Sequence, residues 1–258
     1  MLAVPPIGLG TWQTFDVGRS PAARAPLAAV LREFVELGGT LIDSSPMYGR
    51  AEEVVGELAT SLGIRDRLFI ATKVWTEGRA AGIAQMDESI RKLGGRVDLM
   101  QVHNLVDADA HLDTLQTWKS EGRVRSIGIT HYTSSGYRGL RKYIERGGID
   151  VVQLNYSVAE REAERELLPL CRERNLAVLA NRPLGSGALI RRAARMPLPP
   201  FAKGMTWPEL LLRFVISHDA ITCAIPATAN VEHLRENLRA AHGAPLDDAQ
   251  RAELIELF

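Results

Sequence analysis

Leu68-Phe69-Ile70-Ala71-Thr72-Lys73 is the stretch on which the fold turns. It is a short, nearly continuous apolar run that stops on a lysine, in a chain whose 31 basic residues include only five lysines. A continuous run, unlike an alternating one, suits a strand buried on both faces, as in parallel sheets. Similar runs recur on either side, at Ile7–Gly10, Thr40–Asp43, Asp98–Val102, Ser126–Ile129, Val151–Gln153, Ala177–Ala180 and Ile221–Ile225. Between them apolar residues fall at helical spacing. Leu27, Leu31, Phe34 and Val35 share one face, as do Leu112, Leu115 and Trp118, Leu140, Tyr143 and Ile144, and Leu210, Leu211, Phe214 and Val215. Gly38, Gly63, Gly94, Gly122 and Gly147 stand where helices would end, and Asn230 is placed to cap the eighth helix.

Eight strand–helix units within 258 residues predict an α/β fold, a single (β/α)8 barrel spanning residues 1–258. The competing architecture is an open, doubly wound sheet. Its dinucleotide fingerprint is incomplete, because Gly8-Leu9-Gly10 continues as Thr11-Trp12-Gln13, and no phosphate-binding Gly-x-x-x-x-Gly-Lys loop occurs. One connection, from about 181 to 205, is much longer than the others and rich in Gly and Pro, as expected of a functional or mobile loop.

Thirty-one basic residues balance 31 acidic ones, without any long block of one sign, so nucleic acid is not an expected partner. No apolar run reaches the ~18 residues of a membrane helix, so no membrane partner is expected either. Cys171 and Cys223 have neither redox nor zinc spacing and read as small buried hydrophobes; no metal site is expected. A cytoplasmic location fits, although the abrupt start at Met1 is also what a trimmed export signal would leave.

In such a barrel, chemistry collects at the C-terminal ends of the strands. The polar residues there are Asp43, Lys73, His103, Thr130 with His131, Gln153 with Asn155, and Asn181; Tyr48 follows Asp43 in the loop Ser44-Ser45-Pro46-Met47-Tyr48-Gly49. Singly, each has a bland alternative: a snorkelling lysine, a turn-capping aspartate, a core histidine, a packed aromatic. Together they make chemical sense. A phenol of pKa ~10 is a poor acid at neutral pH; a nearby ammonium lowers that pKa; a carboxylate would orient the ammonium, and a histidine would orient a carbonyl oxygen for protonation.

Gly39-Thr40-Leu41-Ile42-Asp43 with Tyr48-Gly49 resembles the first signature of the aldo-keto reductases. Phe69 to Val74 resembles their lysine strand, Asp98 to Asn104 their histidine strand, and Ile127-Gly128-Ile129-Thr130-His131 their Gly-Val-Ser-Asn strand. Val152 to Tyr156, Arg182 to Gly187, and Ile225-Pro226-Ala227-Thr228 with Asn237 are similar to further family segments, in the same order along nearly the whole chain. The resemblance implies a catalytic tetrad of Asp43, Tyr48, Lys73 and His103, reduction of an aldehyde or ketone, and NADP(H) as the favoured cofactor with NAD(H) as the other option. It implies cofactor contacts from Gly10, Thr11, Trp12, Asp43, Thr130, His131 and Gln153, and from the loop Asn181, Arg182, Pro183, Leu184, Gly185, Ser186 and Gly187. Ile225, Pro226, Ala227, Thr228, His233 and Asn237 complete that set.

The sequence departs from the family in three places. Thr130-His131 replaces Ser-Asn. Asn181-Arg182 stands where an aromatic often covers the nicotinamide. Ala227, Thr228, Ala229 and His233 occupy positions where Lys or Arg often meets the 2′-phosphate, with Arg235 as the nearest substitute. The start of the helix at Asn230 either offers N–H groups to a phosphate or is simply capped. Trp12, Met47, Tyr48, Trp75, His103 and Asn104, with Tyr132 beside them, are expected to wall an apolar substrate pocket that is open and tolerant. The expected partner is a small carbonyl compound, and the expected state a monomer or weak homo-oligomer. The alternative is a non-catalytic nicotinamide-binding sensor or docking subunit on the same barrel.

Overall fold

The computed structural model describes residues 2–258. Its strands are β1 (Leu9–Gly10), β2 (Leu41–Asp43), β3 (Phe69–Val74), β4 (Leu99–His103), β5 (Ser126–His131), β6 (Val151–Asn155), β7 (Ala177–Asn181) and β8 (Cys223–Ala224). All neighbours are parallel and follow chain order. Bridges Ile7↔Ala224 and Gly10↔Ala227 join the last strand to the first, so the sheet closes as a barrel. The helices between are α1 (Pro21–Glu36), α2 (Ala51–Ser61), α3 (Arg79–Lys92), α4 (Ala108–Ser120), α5 (Tyr137–Arg146), α6 (Leu167–Glu173), α7 (Ala188–Ala193) and α8 (Trp207–Ile216), with α9 (Val231–Arg239) and α10 (Asp248–Leu257) after β8.

Residues two apart on a strand share a face, and this builds the barrel interior in layers. Leu41, Ala71, Leu99, Val151, Ala177, Leu179, Cys223 and Ile225 form a buried apolar cluster low inside the sheet. Two residues further along their strands lie Asp43, Lys73, Gln101 and Gln153, all buried. The polar layer of the site therefore rests on an apolar floor. A second, larger apolar shell, including Phe34, Val54, Met86, Leu115, Ile144, Leu168 and Phe214, seals the helices onto the outside of the sheet.

Several strands run one or two residues past the limits read from the sequence. His103, His131, Asn155 and Asn181 lie within β4, β5, β6 and β7 rather than just beyond them. Pairing with a neighbour supplies the ladder hydrogen bonds that a polar side chain cannot advertise in the sequence. The first and last strands are shorter than read, and single bridges replace ladders at their ends. The long 181–205 connection carries α7, held by buried Leu189 and Ala193, between two short 3-10 turns. Asn230 caps α9 as expected, and Asp247 with Gln250 forms a capping box on α10.

Gly128 lies inside β5. A Cβ there would meet the Val151 carbonyl oxygen at 2.6 Å and Cγ of Gln101 at 3.3 Å. The absence of a side chain lets β5 and β6 close up and gives Gln101 its place under the site. Gly128→Ala should therefore cost about 1–3 kcal/mol by overpacking, read as a lower urea midpoint at unchanged slope.

Candidate active site

β2 and β3 set the centre. Asp43 pairs in register with Ala71, two residues before Lys73, so the long lysine stem reaches sideways to the carboxylate. Nζ of Lys73 donates to Oδ2 of Asp43 at 2.7 Å and to the Ser44 carbonyl at 2.7 Å, and its side chain is fully buried. The other carboxylate oxygen, Oδ1, accepts from Nε2 of Gln153 at 2.8 Å and, more distantly, of Gln101 at 3.4 Å. Thr130 donates to Oε1 of Gln153 at 3.3 Å, and Thr11 donates to the Asp43 backbone carbonyl at 3.0 Å. Nζ of Lys73 is 5.1 Å from the centre of the Tyr48 ring. The His103 ring meets Tyr48 edge-on at 6.2 Å between centres, and Trp75 lies 6.3 Å away on another side. Asp43, Tyr48, Lys73 and His103, the four residues of the expected tetrad, are thus brought together.

Burial pulls the Lys73 pKa down, but the Asp43 carboxylate and the Tyr48 hydroxyl more than offset this and hold it above the ordinary lysine value. The Tyr48 phenol is pushed above its ordinary value by burial; the Lys73 ammonium pulls it down, but less strongly. The charge effect expected from the sequence is present, and desolvation outweighs it. His103 is lowered to about 3 by burial and then by the charges of Lys73 and His131, so its ring is neutral across the physiological range.

A cavity of about 630 Å³ opens above this cluster. Trp12, Met47, Tyr48, Trp75, His103 and Asn104 line one part of it, together with Tyr132, Gln13 and Thr14. Gly10, Thr11, Asp43, Thr130, Gln153, Asn181, Arg182, Pro183, Leu184, Ser186, Gly187, Ile225, Pro226 and Ala227 line the rest. Trp12, Met47, Trp75 and Tyr132 are large apolar side chains left exposed around it.

Five expected cofactor residues lie elsewhere. His131 follows inward-facing Thr130 and so turns outward; it stacks on Tyr132 at 5.8 Å between ring centres and fills the space left by Gly136. Gly185 sits within the turn that presents Leu184 and Ser186, at φ +56°. Thr228 precedes α9, His233 lies in its first turn and Asn237 in its last, all outside the cavity wall. The first-turn N–H groups of Glu232 and His233 are taken by the Asn230 side chain, so that helix start is capped. Arg235 is engaged by Glu33 at 2.7 Å and Glu232 at 2.6 Å.

Ser45 went unnoticed in the sequence beyond its place in the loop. Its hydroxyl lies 3.1 Å from Nδ1 of His103, across 58 residues of chain. The only local signal is a hydroxyl two residues after a strand-end carboxylate, and nothing in it names the partner.

On the side formed by residues 181–187, Oδ1 of Asn181 is buried without a hydrogen-bond partner, and Nε of Arg182 faces the Glu160 carboxylate at 3.6 Å, beyond hydrogen-bond distance. An acceptor, a guanidinium donor and a Gly-rich turn beside the cluster suit a polar, anionic cofactor such as a nicotinamide dinucleotide. Among the described residues no cluster of His, Cys, Asp and Glu could hold a metal ion, and no helix is long and apolar enough to cross a membrane.

The profile of the Aldo/keto reductase family matches residues 6–257, and the chain belongs to that family. It is similar to the methylglyoxal reductase YeaE of Escherichia coli, 29% identical over 97% of this chain and 93% of that protein. It is also similar to an E. coli protein named as an NADH-specific methylglyoxal reductase, 27% identical over 97% of this chain and 94% of that one. Among solved structures, an aldo-keto reductase from Klebsiella pneumoniae in complex with NADPH is 30% identical, with a TM-score of 0.82 over 98% of this chain and 91% of that one.

Removing one partner of a buried ion pair leaves the other charge stranded. Lys73→Met should cost about 3–5 kcal/mol of stability, and adding Asp43→Asn should recover much of it; a chemical-denaturation double-mutant cycle checks this. His103, ordinarily near 6.5 and here at about 3, binds its proton less readily folded than unfolded. Its contribution is therefore fully present above about pH 6.5 and is lost as the pH falls toward 3. Stability of His103→Gln should fall less steeply than wild type over that window.

Proposed function

We propose that the chain reduces an aldehyde or ketone to the alcohol, with Tyr48 as the proton donor. Membership of the family supports carbonyl reduction with a nicotinamide cofactor. The observation that carries the finer reading is the character of the cavity base. Tyr48 and His103 both line the cavity, with the Lys73 ammonium beside the phenol and Nδ1 of His103 turned to Ser45. They are the two groups placed to meet a carbonyl oxygen.

Asp43 and Ser44 hold the Lys73 ammonium, and Lys73 in turn supports the Tyr48 oxygen as it gives up its proton. His103, neutral, donates a hydrogen bond to the carbonyl oxygen and fixes its direction. Gln153, itself held by Thr130, donates to the second carboxylate oxygen and keeps the aspartate turned toward Lys73. A nicotinamide cofactor, held by the residues named below, would supply the hydride when bound. The proton from Tyr48 goes to the carbonyl oxygen, and water restores the phenol after product leaves.

Asn181, Arg182, Pro183, Leu184, Ser186 and Gly187 would hold the cofactor on one side, with Gly10, Thr11 and Ile225 to Ala227 on the other; the 181–205 loop would cover it. NADPH is the favoured form, in keeping with the Klebsiella relative's complex. With Arg235 committed to Glu33 and Glu232, discrimination against NADH should be shallow. The exposed rim of Trp12, Met47, Trp75 and Tyr132 suits apolar or small dicarbonyl compounds; methylglyoxal is the first to try, given the names of the two E. coli relatives.

The test is fluorescence titration with NADPH and NADH, then addition of methylglyoxal and a bulkier aryl aldehyde. Consumption of the reduced cofactor is expected with both aldehydes. Tyr48→Phe should lower kcat by about 10²–10⁴-fold with cofactor affinity unchanged. Full activity in Tyr48→Phe would remove the tyrosine from its role. Binding without turnover of any aldehyde would favour the sensor or docking alternative.

A further inference from the structure

His103 has to present a proton, not a lone pair, to a carbonyl oxygen. A neutral imidazole carries one proton on one of two nitrogens, and the partner of the second nitrogen decides which. Nδ1 has one side-chain partner, the Ser45 hydroxyl at 3.1 Å. Ser45 is fully buried and does not line the cavity.

The hydrogen-bond ledger of Ser45 settles the direction of that bond. Its Oγ already accepts from the Met47 N–H at 3.4 Å, and its carbonyl accepts from the Tyr48 N–H at 3.0 Å. Both bonds are local and tie the serine into the turn that carries Tyr48. No other side chain or backbone oxygen accepts the Ser45 hydroxyl proton. If Nδ1 carried the ring proton, the serine hydroxyl would be a buried donor without an acceptor, at a cost of about 1–3 kcal/mol. If the serine donates to Nδ1, every group is satisfied and the ring proton lies on Nε2, at the edge open to the cavity.

We propose that Ser45 is a positioning residue: its hydroxyl donates to Nδ1 of His103 and thereby holds the ring in the tautomer that offers Nε2–H to the substrate carbonyl. This rests on the reductase reading for its consequence in catalysis, but the tautomer itself does not. The same turn that places Tyr48 also places the group that tells His103 which proton to show. The donor of the proton and the donor of the orienting hydrogen bond are thus fixed by one four-residue segment, Ser45 to Tyr48.

The experiment is 15N NMR of the protein labelled at histidine, with the His103 signals assigned by their loss in His103→Gln. In wild type, Nε2 should appear protonated and Nδ1 as an acceptor. In Ser45→Ala the Nδ1–H form should appear alongside it, kcat/KM should fall by about 10–100-fold, the scale seen when a supporting partner of a functional histidine is lost, and NADPH affinity should be unchanged. Ser45→Thr, which keeps the hydroxyl, should restore the wild-type spectrum. Two results overturn the proposal: Nδ1–H in the wild-type ring, or a tautomer balance that Ser45→Ala leaves unmoved. Absence of turnover in wild type, with the expected spectra, would instead overturn the reductase reading and leave the tautomer assignment standing.

Discussion

The 2.7 Å contact between Lys73 and Asp43 is the interaction on which the site depends. Both groups are buried, and taking two charges out of water costs several kcal/mol each unless the geometry is good and the remaining lone pairs and protons are used. Here they are. The ammonium also meets the Ser44 carbonyl, and the carboxylate also meets Gln153 and Gln101. A buried pair of this kind is weak as a source of stability, since a well-packed apolar pair would do as well. Its value is the fixed positive charge it keeps within reach of a phenol.

Keeping that charge is a property of the barrel. The parallel register sets Asp43 opposite Ala71 and leaves Lys73 two residues above it, so the pair forms only because the lysine stem can lie back across the interior. The layer of Leu41, Ala71, Leu99 and Val151 beneath excludes water from below. Gly128 has no side chain to crowd Gln101, so the supporting amide can occupy that layer. Strand closure, apolar floor and polar layer form one construction, and the loops around it decide only what can enter.

The sequence made this construction readable where a polar residue breaks an apolar run. Asp43, Lys73 and His103 stand out for that reason, and the alternation of strand and helix orders them around a barrel. It hid whatever depends on contacts between distant loops. Ser45 and His103 are 58 positions apart, and only the closed sheet brings them together. His131 adjoins Thr130, and the sequence pairs the two; β5 continues through both residues, and the pleat sends one in and the other out. Arg235 looked available until α1 and α9 packed together and Glu33 reached it. α7 was masked because six residues between glycines and prolines give too short a period to read.

On the proposed mechanism, the charges explain why all four residues are needed and not only the acid. Burial raises the phenol pKa, so Tyr48 holds its proton at neutral pH and has it to give. Giving it leaves a phenolate, which the same burial penalises. Opposite charges near 4 Å attract by about 4 kcal/mol at an effective dielectric of 20, a gain that arises only as the proton leaves. It is therefore the kind of interaction that speeds a reaction, being stronger in the transition state than before it. Lys73 could not supply it alone, because burial by itself lowers the lysine pKa and would neutralise the ammonium. Asp43 prevents that loss. A positively charged His103 would lower the phenol pKa as well and bring a second cation beside Lys73; burial and that neighbouring cation keep the imidazole neutral. The site thus holds one cation, one anion and two neutral donors, and only the acid's charge changes when it acts.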